Sequence, residues 1–219
     1  GRNLYAFEAD KIPARAAWDS GAIAYQQLVD AFRAEHEGAW PEKLAFSLWS
    51  SEAIRHLGVT EAQVLHALGL RPIWDDGGRV TALEIIPASE LGHPRSDVVV
   101  QVTGVYRDQF DHFMRLLDDA IARLAELDEP GNPIAPNTRR IAAELQAQGM
   151  TAEQAAEAAG YRIFGNPPGE YGTGVPDLAM ASTEWDDDAV LAEQFLASNG
   201  YAFGNRQWGE ASGNTNLLA

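Results

Sequence analysis

Residues Asp97 to Thr103 contain Val98-Val99-Val100 and Val102, and this near-continuous apolar run constrains the chain more than any other feature. Successive residues of a strand point to opposite faces, so such a strand has to be covered on both sides. Layers are therefore required above and below it. A chain of 219 residues is long enough for one sizeable core with an attached lobe. Its hydrophobic content of 46%, with 6 Trp, 6 Tyr and 8 Phe, supports a packed protein and excludes general disorder.

Further strands are predicted over Lys43 to Trp49, Leu70 to Trp74 and Arg79 to Ile86. The turn Asp75-Asp76-Gly77-Gly78 separates the last two so narrowly that the strand from Arg79 is expected to be antiparallel or at an edge. Helical spacing is clearest from Arg107 to Leu127, where Phe110, Phe113, Met114, Leu117, Ile121 and Leu124 recur at steps of three and four. Other helices are predicted from Ile23 to His36, Thr60 to Leu68, Thr138 to Gln148 and Asp187 to Ala197. One more, from Thr151 to Ala159, opens with a Thr151/Gln154 capping box. Strands separated by helices give an α/β expectation: a mostly parallel sheet flanked by helices, with a Gly/Pro-rich loop over 162–175 and a helical C-terminal part. The expected organisation is an extended and helical segment at 1–40, an α/β core at 41–130, helices and loop completing it at 131–204, and a flexible or truncated tail at 205–219. The chain opens on Gly1-Arg2-Asn3 without Met and closes on the soft run 209–216, so a fragment of a longer protein is expected.

Acidic side chains outnumber basic ones 32 to 16, a formal charge of −16 that repels phosphate backbones and excludes nucleic acid as a partner. Cysteine is absent, which excludes disulfides and thiolate metal sites. With no signal peptide and no apolar run approaching about 18 residues, no transmembrane segment is expected and the expected location is the cytoplasm. The histidines, His36, His56, His66, His93 and His112, show no recognised ligand spacing. The run Glu184-Trp185-Asp186-Asp187-Asp188 reads either as a hard-cation site or as an acidic helix start. Nothing resembles a Ser-His-Asp arrangement.

Three places carry candidate ligand chemistry. The loop from Phe164 to Gly174 combines two prolines with four glycines. Its backbone N–H groups can hold an anion such as a carboxylate, and Asn166, Glu170 and Tyr171 are its candidate contacts. The same loop is equally readable as a rigid closure of the sheet, and it lacks the lysine of a phosphate-binding loop. Before the triple-Val strand, His93 and Arg95 are candidates for meeting carboxylates of a ligand, Arg95 by bidentate pairing. The alternative is that Arg95 pins the strand entrance by pairing with Asp97 or Glu90. Just after that strand, Arg107 and Asp108 stand where ligands collect in open α/β sheets, or else form an ion pair at the helix start. Glu52 occupies the equivalent position after the first strand.

Several stretches resemble, in order, the large subunits of cobaltochelatase and magnesium chelatase. They are Gly1-Arg2-Asn3 with Ile12-Pro13, Leu48-Trp49, Leu68-Gly69-Leu70-Arg71-Pro72, and Ile86-Pro87 followed by Glu90-Leu91-Gly92-His93-Pro94-Arg95-Ser96-Asp97-Val98. Then come Gly104-Val105-Tyr106-Arg107-Asp108, Asp128-Glu129-Pro130, Arg162-Ile163-Phe164-Gly165 with Pro168-Gly169-Glu170-Tyr171-Gly172, and Tyr201-Ala202-Phe203-Gly204. The pattern is most similar to the cobalt branch, although Asn166-Pro167-Pro168-Gly169 leans toward the magnesium branch. The resemblance implies insertion of Co2+, or alternatively Mg2+, into a tetrapyrrole, with a corrin precursor of the hydrogenobyrinic acid diamide type as the cobalt substrate. ATP would be hydrolysed by separate AAA+ partner subunits and not bound here. The implied chain is a piece of the C-terminal half of a large subunit, working with the remainder of that subunit. The family's histidine-glycine segment followed by glutamate lies upstream of this region, so the piece is expected to be inactive alone.

Overall fold

The structure, a computed structural model, describes residues 8–165 together with the backbone of 201–203 and 208–211. The Gly/Pro-rich loop from 166, the acidic run 184–188, the helix predicted from Asp187 and most of the tail lie outside the described residues, as do residues 1–7.

After a short 3-10 turn at Ala9–Lys11, α1 runs from Arg15–Glu35. It starts eight residues before the predicted Ile23, because its buried face is Ala17, Gly21, Tyr25 and Val29, and the small residues in that line hide the stripe from a hydrophobicity reading. They serve close approach: a Cβ on Gly21 would collide with the Ala62 side chain. Strand β1 is Lys43–Leu48, α2 is Ser50–His56 and α3 is Val59–Leu68. Strands β2 (Leu70–Trp74) and β3 (Val80–Ile85) come next, then α4 (Ala88–Leu91) and β4 (Asp97–Val102). The helix predicted from Arg107 divides into α5 (Gly104–Gln109) and α6 (Asp111–Ala125). The break falls at Phe110, whose ring is buried and stacks on Tyr106 at 4.7 Å. Helices α7 (Ile134–Ala147) and α8 (Ala152–Ala159) lead to β5 (Ile163–Gly165). Thr151 and Gln154 form the predicted capping box at α8. Strands β6 (Tyr201–Phe203) and β7 (Trp208–Ala211) complete the larger sheet.

The sheet-based α/β expectation is corrected by this architecture. Helix is 56% and strand 16% of the structure, so helices carry the fold and the sheets are small and open. Two of the strands assigned to the core, β2 and β3, pair among the described residues only with each other, antiparallel, in a separate two-stranded ladder. The link between them, Asp75 to Arg79, is too short for a crossover. Asp75 closes it by accepting the N–H groups of Gly77 and Arg79 at 2.9 Å each. The larger sheet has the order β1-β4-β5-β6-β7, with β1, β4 and β5 parallel and β6 and β7 antiparallel additions.

Strand β4 is buried along its whole length. Val98, Val100 and Val102 enter the larger core cluster with Tyr25 and Val29 of α1, Leu65 and Leu68 of α3, Tyr106 of α5 and Phe113, Leu117 and Ile121 of α6. Val99 faces the other way, into a smaller cluster with Ile141 and Leu145 of α7, Ala155 and Ala159 of α8, and Phe164. Two helical layers therefore cover this strand, as its composition requires.

Gly69 ties the helix-to-hairpin corner to the strand entrance. Its φ is +75°, and a Cβ there would strike the Arg95 guanidinium and come within 2.8 Å of Leu91 Cδ2. Gly69→Ala is expected to cost about 3 kcal/mol or more in urea unfolding, because a methyl displaces a buried cation as well as straining the backbone. Gly38→Ala, at φ +83° in open space, carries the strain alone and should cost about 1 kcal/mol. Equal losses at the two positions would show that the Arg95 contact is not what makes Gly69 necessary.

Candidate functional site

The parallel pairing brings three strand ends together. Leu48 of β1 is in register with Val102 of β4, and Val102 with Gly165 of β5. The segments leaving these three strands are therefore presented on one edge of the sheet. After β1, the Ser50 hydroxyl donates to Gln109 Oε1 and so ties α2 to α5. After β4, Thr103 Oγ1 caps α5 by accepting the Tyr106 N–H at 3.2 Å. After β5 the chain continues into residue 166.

Arg107 and Asp108 sit at this carboxyl edge. The Arg107 side chain is 3% exposed and its Nε donates to Asp108 Oδ1 at 3.4 Å, among other interactions, while Asp108 is 46% exposed. A buried guanidinium behind a half-exposed carboxylate can orient an acidic or a cationic group at the surface. Glu52 turns outward instead and pairs with His56 at 3.3 Å on its own helix. Asn166, Glu170 and Tyr171 lie outside the described residues.

His93 and Arg95 are placed at the opposite, amino end of β4. A six-residue strand spans roughly 20 Å, so these two and Arg107 do not meet at one ring. Arg95 is fully buried, and its guanidinium donates to Glu129 Oε1 at 2.6 Å, to the carbonyls of Leu68 and Gly69 at 3.0 and 2.8 Å, and to Ile86 O at 2.5 Å. Its acidic partner is neither Asp97 nor Glu90. The His93 ring stacks on Trp40 at 5.3 Å, and its Nδ1–H donates to Pro94 O at 2.8 Å.

A buried acid that sequence reasoning missed stands behind the carboxyl edge. Glu61, near the start of α3, is 1% exposed and accepts the Tyr106 hydroxyl at 2.8 Å. Burial pushes its carboxyl from 4.5 up to about 7, outweighing its own backbone N–H and Tyr106, both of which favour the anion. Burial and the Glu61 charge likewise push the Tyr106 hydroxyl well above its usual value. The signal was present in the spacing, since Glu61 precedes Val64, Leu65 and Leu68 by three, four and seven residues and so lies on their apolar stripe. Among the described residues, no three His, Asp or Glu side chains converge as a metal site. None of the described helices is long and apolar enough to cross a membrane.

Comparison with known proteins gives a consistent assignment. The sequence model of the CobN/Magnesium Chelatase family matches residues 1–217. The chain is 40% identical over 207 residues to the aerobic cobaltochelatase subunit CobN of Pseudomonas aeruginosa, a match covering 93% of this chain and 16% of that protein. It is 37% identical over 205 residues to the chloroplastic magnesium-chelatase subunit ChlH of Oryza sativa subsp. indica, covering 93% and 14%. Among solved structures, the catalytic subunit of cobaltochelatase from Mycobacterium tuberculosis matches with a TM-score of 0.80 at 38% identity, over 99% of this chain and 18% of that one. The chain thus spans about a sixth of the length of the curated relatives it matches.

Glu61 gives the fold a pH dependence of defined sign. A carboxyl with a raised folded value contributes stability that is complete below 4.5 and is lost as the pH rises through about 7. Wild-type protein is expected to lose roughly 3 kcal/mol of unfolding free energy from this group between pH 4.5 and 8. Glu61→Gln keeps an acceptor for Tyr106 without the charge and should flatten that part of the profile. Parallel wild-type and Glu61→Gln curves in urea titrations across this range would assign the pH dependence to other groups.

Proposed function

Because the chain belongs to the CobN/magnesium chelatase family, we propose that it forms part of the macrocycle-holding large subunit of an ATP-dependent cobaltochelatase. The substrates in this reading are Co2+ and a corrin precursor of the hydrogenobyrinic acid a,c-diamide type. The observation that carries it is the 0.80 TM-score, at 38% identity over 99% of the chain, to the mycobacterial cobaltochelatase catalytic subunit. Magnesium insertion into protoporphyrin IX is the second reading, favoured by the 37% identity to the rice magnesium-chelatase subunit. ATP is consumed in this scheme by AAA+ partner subunits, and the remainder of the large subunit completes the cleft. This segment alone is inactive.

Metal insertion needs the ring held, its carboxylates neutralised and its pyrrole protons removed as the cation enters. The carboxyl edge suits part of that work. Asp108 offers a half-exposed carboxylate for a proton or a cation, oriented from behind by the buried Arg107 guanidinium. Asn166, Glu170 and Tyr171, which follow β5 in the sequence, are further candidates for contact with the ring. Arg95, enclosed by its own fold, acts in this arrangement as a scaffold residue, and His93 belongs to the far end of the strand.

Titration of the chain with hydrogenobyrinic acid a,c-diamide and with protoporphyrin IX, followed by tryptophan quenching and ring absorbance, tests the reading. Saturable binding of the corrinoid alone is expected, weakened about tenfold in Arg107→Ala, as for one lost charge-assisted hydrogen bond. Asp108→Asn, which keeps an acceptor for Arg107, checks the same edge once its far-UV and near-UV CD spectra match the wild type. Preference for protoporphyrin IX would select the magnesium reading. Failure of a folded sample to bind either ring would reject a ring contact in this segment and leave it a scaffold.

A further inference from the structure

The amino ends of β1 and β4 border a groove of about 510 Å3, remote from the carboxyl edge and framed by three loops. The loop after α1 supplies Trp40, Pro41 and Glu42, the loop before β4 supplies Pro94, and the start of α7 supplies Pro136 and Asn137. Its volume falls in the range of sites that take a side chain or a small ligand.

The groove is held open by buried polar contacts. Ser96 Oγ donates to Pro41 O at 2.6 Å, and Asp97 N donates to Glu42 O at 2.7 Å. Arg95 N donates to Gly131 O at 2.8 Å, which fixes the third loop to the second. The Asn132 side chain donates to Leu124 O and Leu127 O at 2.9 and 2.8 Å, holding the turn into α7. Trp40 is clamped between the Arg33 guanidinium, 5.2 Å from its ring, and the stacked His93 ring.

Within these walls the accessible side-chain polar atoms left over are acceptors, while the Trp40 Nε1–H is buried without a hydrogen-bond partner among the described residues. Glu42 is exposed, and its carboxylate makes no hydrogen bond or ion pair among the described residues. Asn137 uses its NH2 group on Asp97 Oδ2 at 3.0 Å, which turns its Oδ1 away from that contact as a second acceptor. Both residues flank Asp97, one through its backbone carbonyl and the other through its side chain. Donors are scarce. The Arg95 guanidinium is spent internally, the Ile134 N–H at the start of α7 goes to Asn132 Oδ1 at 3.1 Å, and Pro136 has no N–H. The remaining side chains of the walls are largely proline and indole.

The geometry points to a guanidinium site: the groove takes an arginine side chain from a partner polypeptide, its planar fork shared between the Glu42 carboxylate and Asn137 Oδ1 and its stem against Pro41, Pro94 and Pro136. Arginine suits two separated acceptors better than lysine because its five donors are held in one rigid plane. The apolar stem covers the proline wall while the charged head stays at the rim. The assignment stands on the groove alone and is independent of the chelatase reading.

The test is an NMR titration of the chain with blocked arginine (N-acetyl-arginine methylamide), blocked lysine and blocked glutamate, reading the Asn137 side-chain amide and the Trp40 indole N–H. Saturable shifts with blocked arginine are expected, weakened about fivefold in Glu42→Gln, the upper range for an exposed ion pair. The Glu42 carboxylate makes no hydrogen bond or ion pair among the described residues, so its variant should keep the wild-type amide spectrum away from the groove. Equal affinity for blocked lysine, shifts from blocked glutamate, or unchanged arginine affinity in Glu42→Gln would each overturn the assignment.

Discussion

The Asp97–Arg162 ion pair is the contact on which the arrangement of layers depends. Both side chains are fully buried, with Arg162 Nε 2.8 Å from Asp97 Oδ1 and Nη2 3.2 Å from Oδ2. Two isolated charges in such a place are costly, and an ion pair there is tolerable only when every remaining donor and acceptor is satisfied. Here they are. Asp97 also accepts the Val98 N–H at 2.8 Å and the Asn137 amide at 3.0 Å. Arg162 donates further to Ala159 O, Tyr161 O and Thr138 Oγ1. One pair thus joins the start of β4 to β5, α7 and the end of α8. Loss of either partner would strand the other charge in the core, at a cost of about 3–5 kcal/mol.

Arg95 repeats the solution two residues earlier on the opposite side. Its partners, Glu129 and the carbonyls of Leu68, Gly69 and Ile86, come from the loop after α6, the end of α3 and the end of β3. Arg95 precedes the strand, where the alternation of strand side chains does not apply, and through these partners Arg95 and Asp97 anchor different layers from one short stretch of chain. The amino end of β4 is therefore a rigid junction, and the groove beside it inherits that rigidity. The carboxyl end is organised by lighter means, a Thr103 cap and a Ser50–Gln109 contact, and it leaves Asp108 in solvent. The two ends of one sheet accordingly suit different tasks.

The sequence made local features legible and tertiary ones obscure. The fully covered β4, the hairpin at Asp75 and the Thr151/Gln154 box depend on neighbouring residues, and each lies where composition and spacing put it. The dominance of helix over strand was missed because four apolar runs looked alike, although two of them had only a tight turn between them and could pair only with each other. The division of α5 from α6 depends on Phe110 fitting against Tyr106, which an apolar periodicity running through both helices conceals. Arg95 offered two acidic neighbours within five residues, yet its partner is Glu129, 34 residues away. The position of Arg107 and Asp108 at the carboxyl edge was legible because strand direction alone places them. The groove at the other end was not, since its lining comes from three separate loops.

The stretches that carry the family resemblance meet one another inside the fold. Arg95 and Asp97 belong to one, Glu129 to the Asp-Glu-Pro stretch and Arg162 to the Arg-Ile-Phe-Gly stretch, and they pair as Arg95 with Glu129 and Asp97 with Arg162. Residues that look like a ligand signature in one dimension are thus largely the polar pins of the scaffold. A buried pin tolerates no unpaired substitution whatever metal or ring the whole protein handles. Similar identities, 40% and 37%, to a cobaltochelatase subunit and a magnesium-chelatase subunit are what a frame of this kind allows. Groups at the edges of that frame, beyond the pinned junction, are free to vary without that cost.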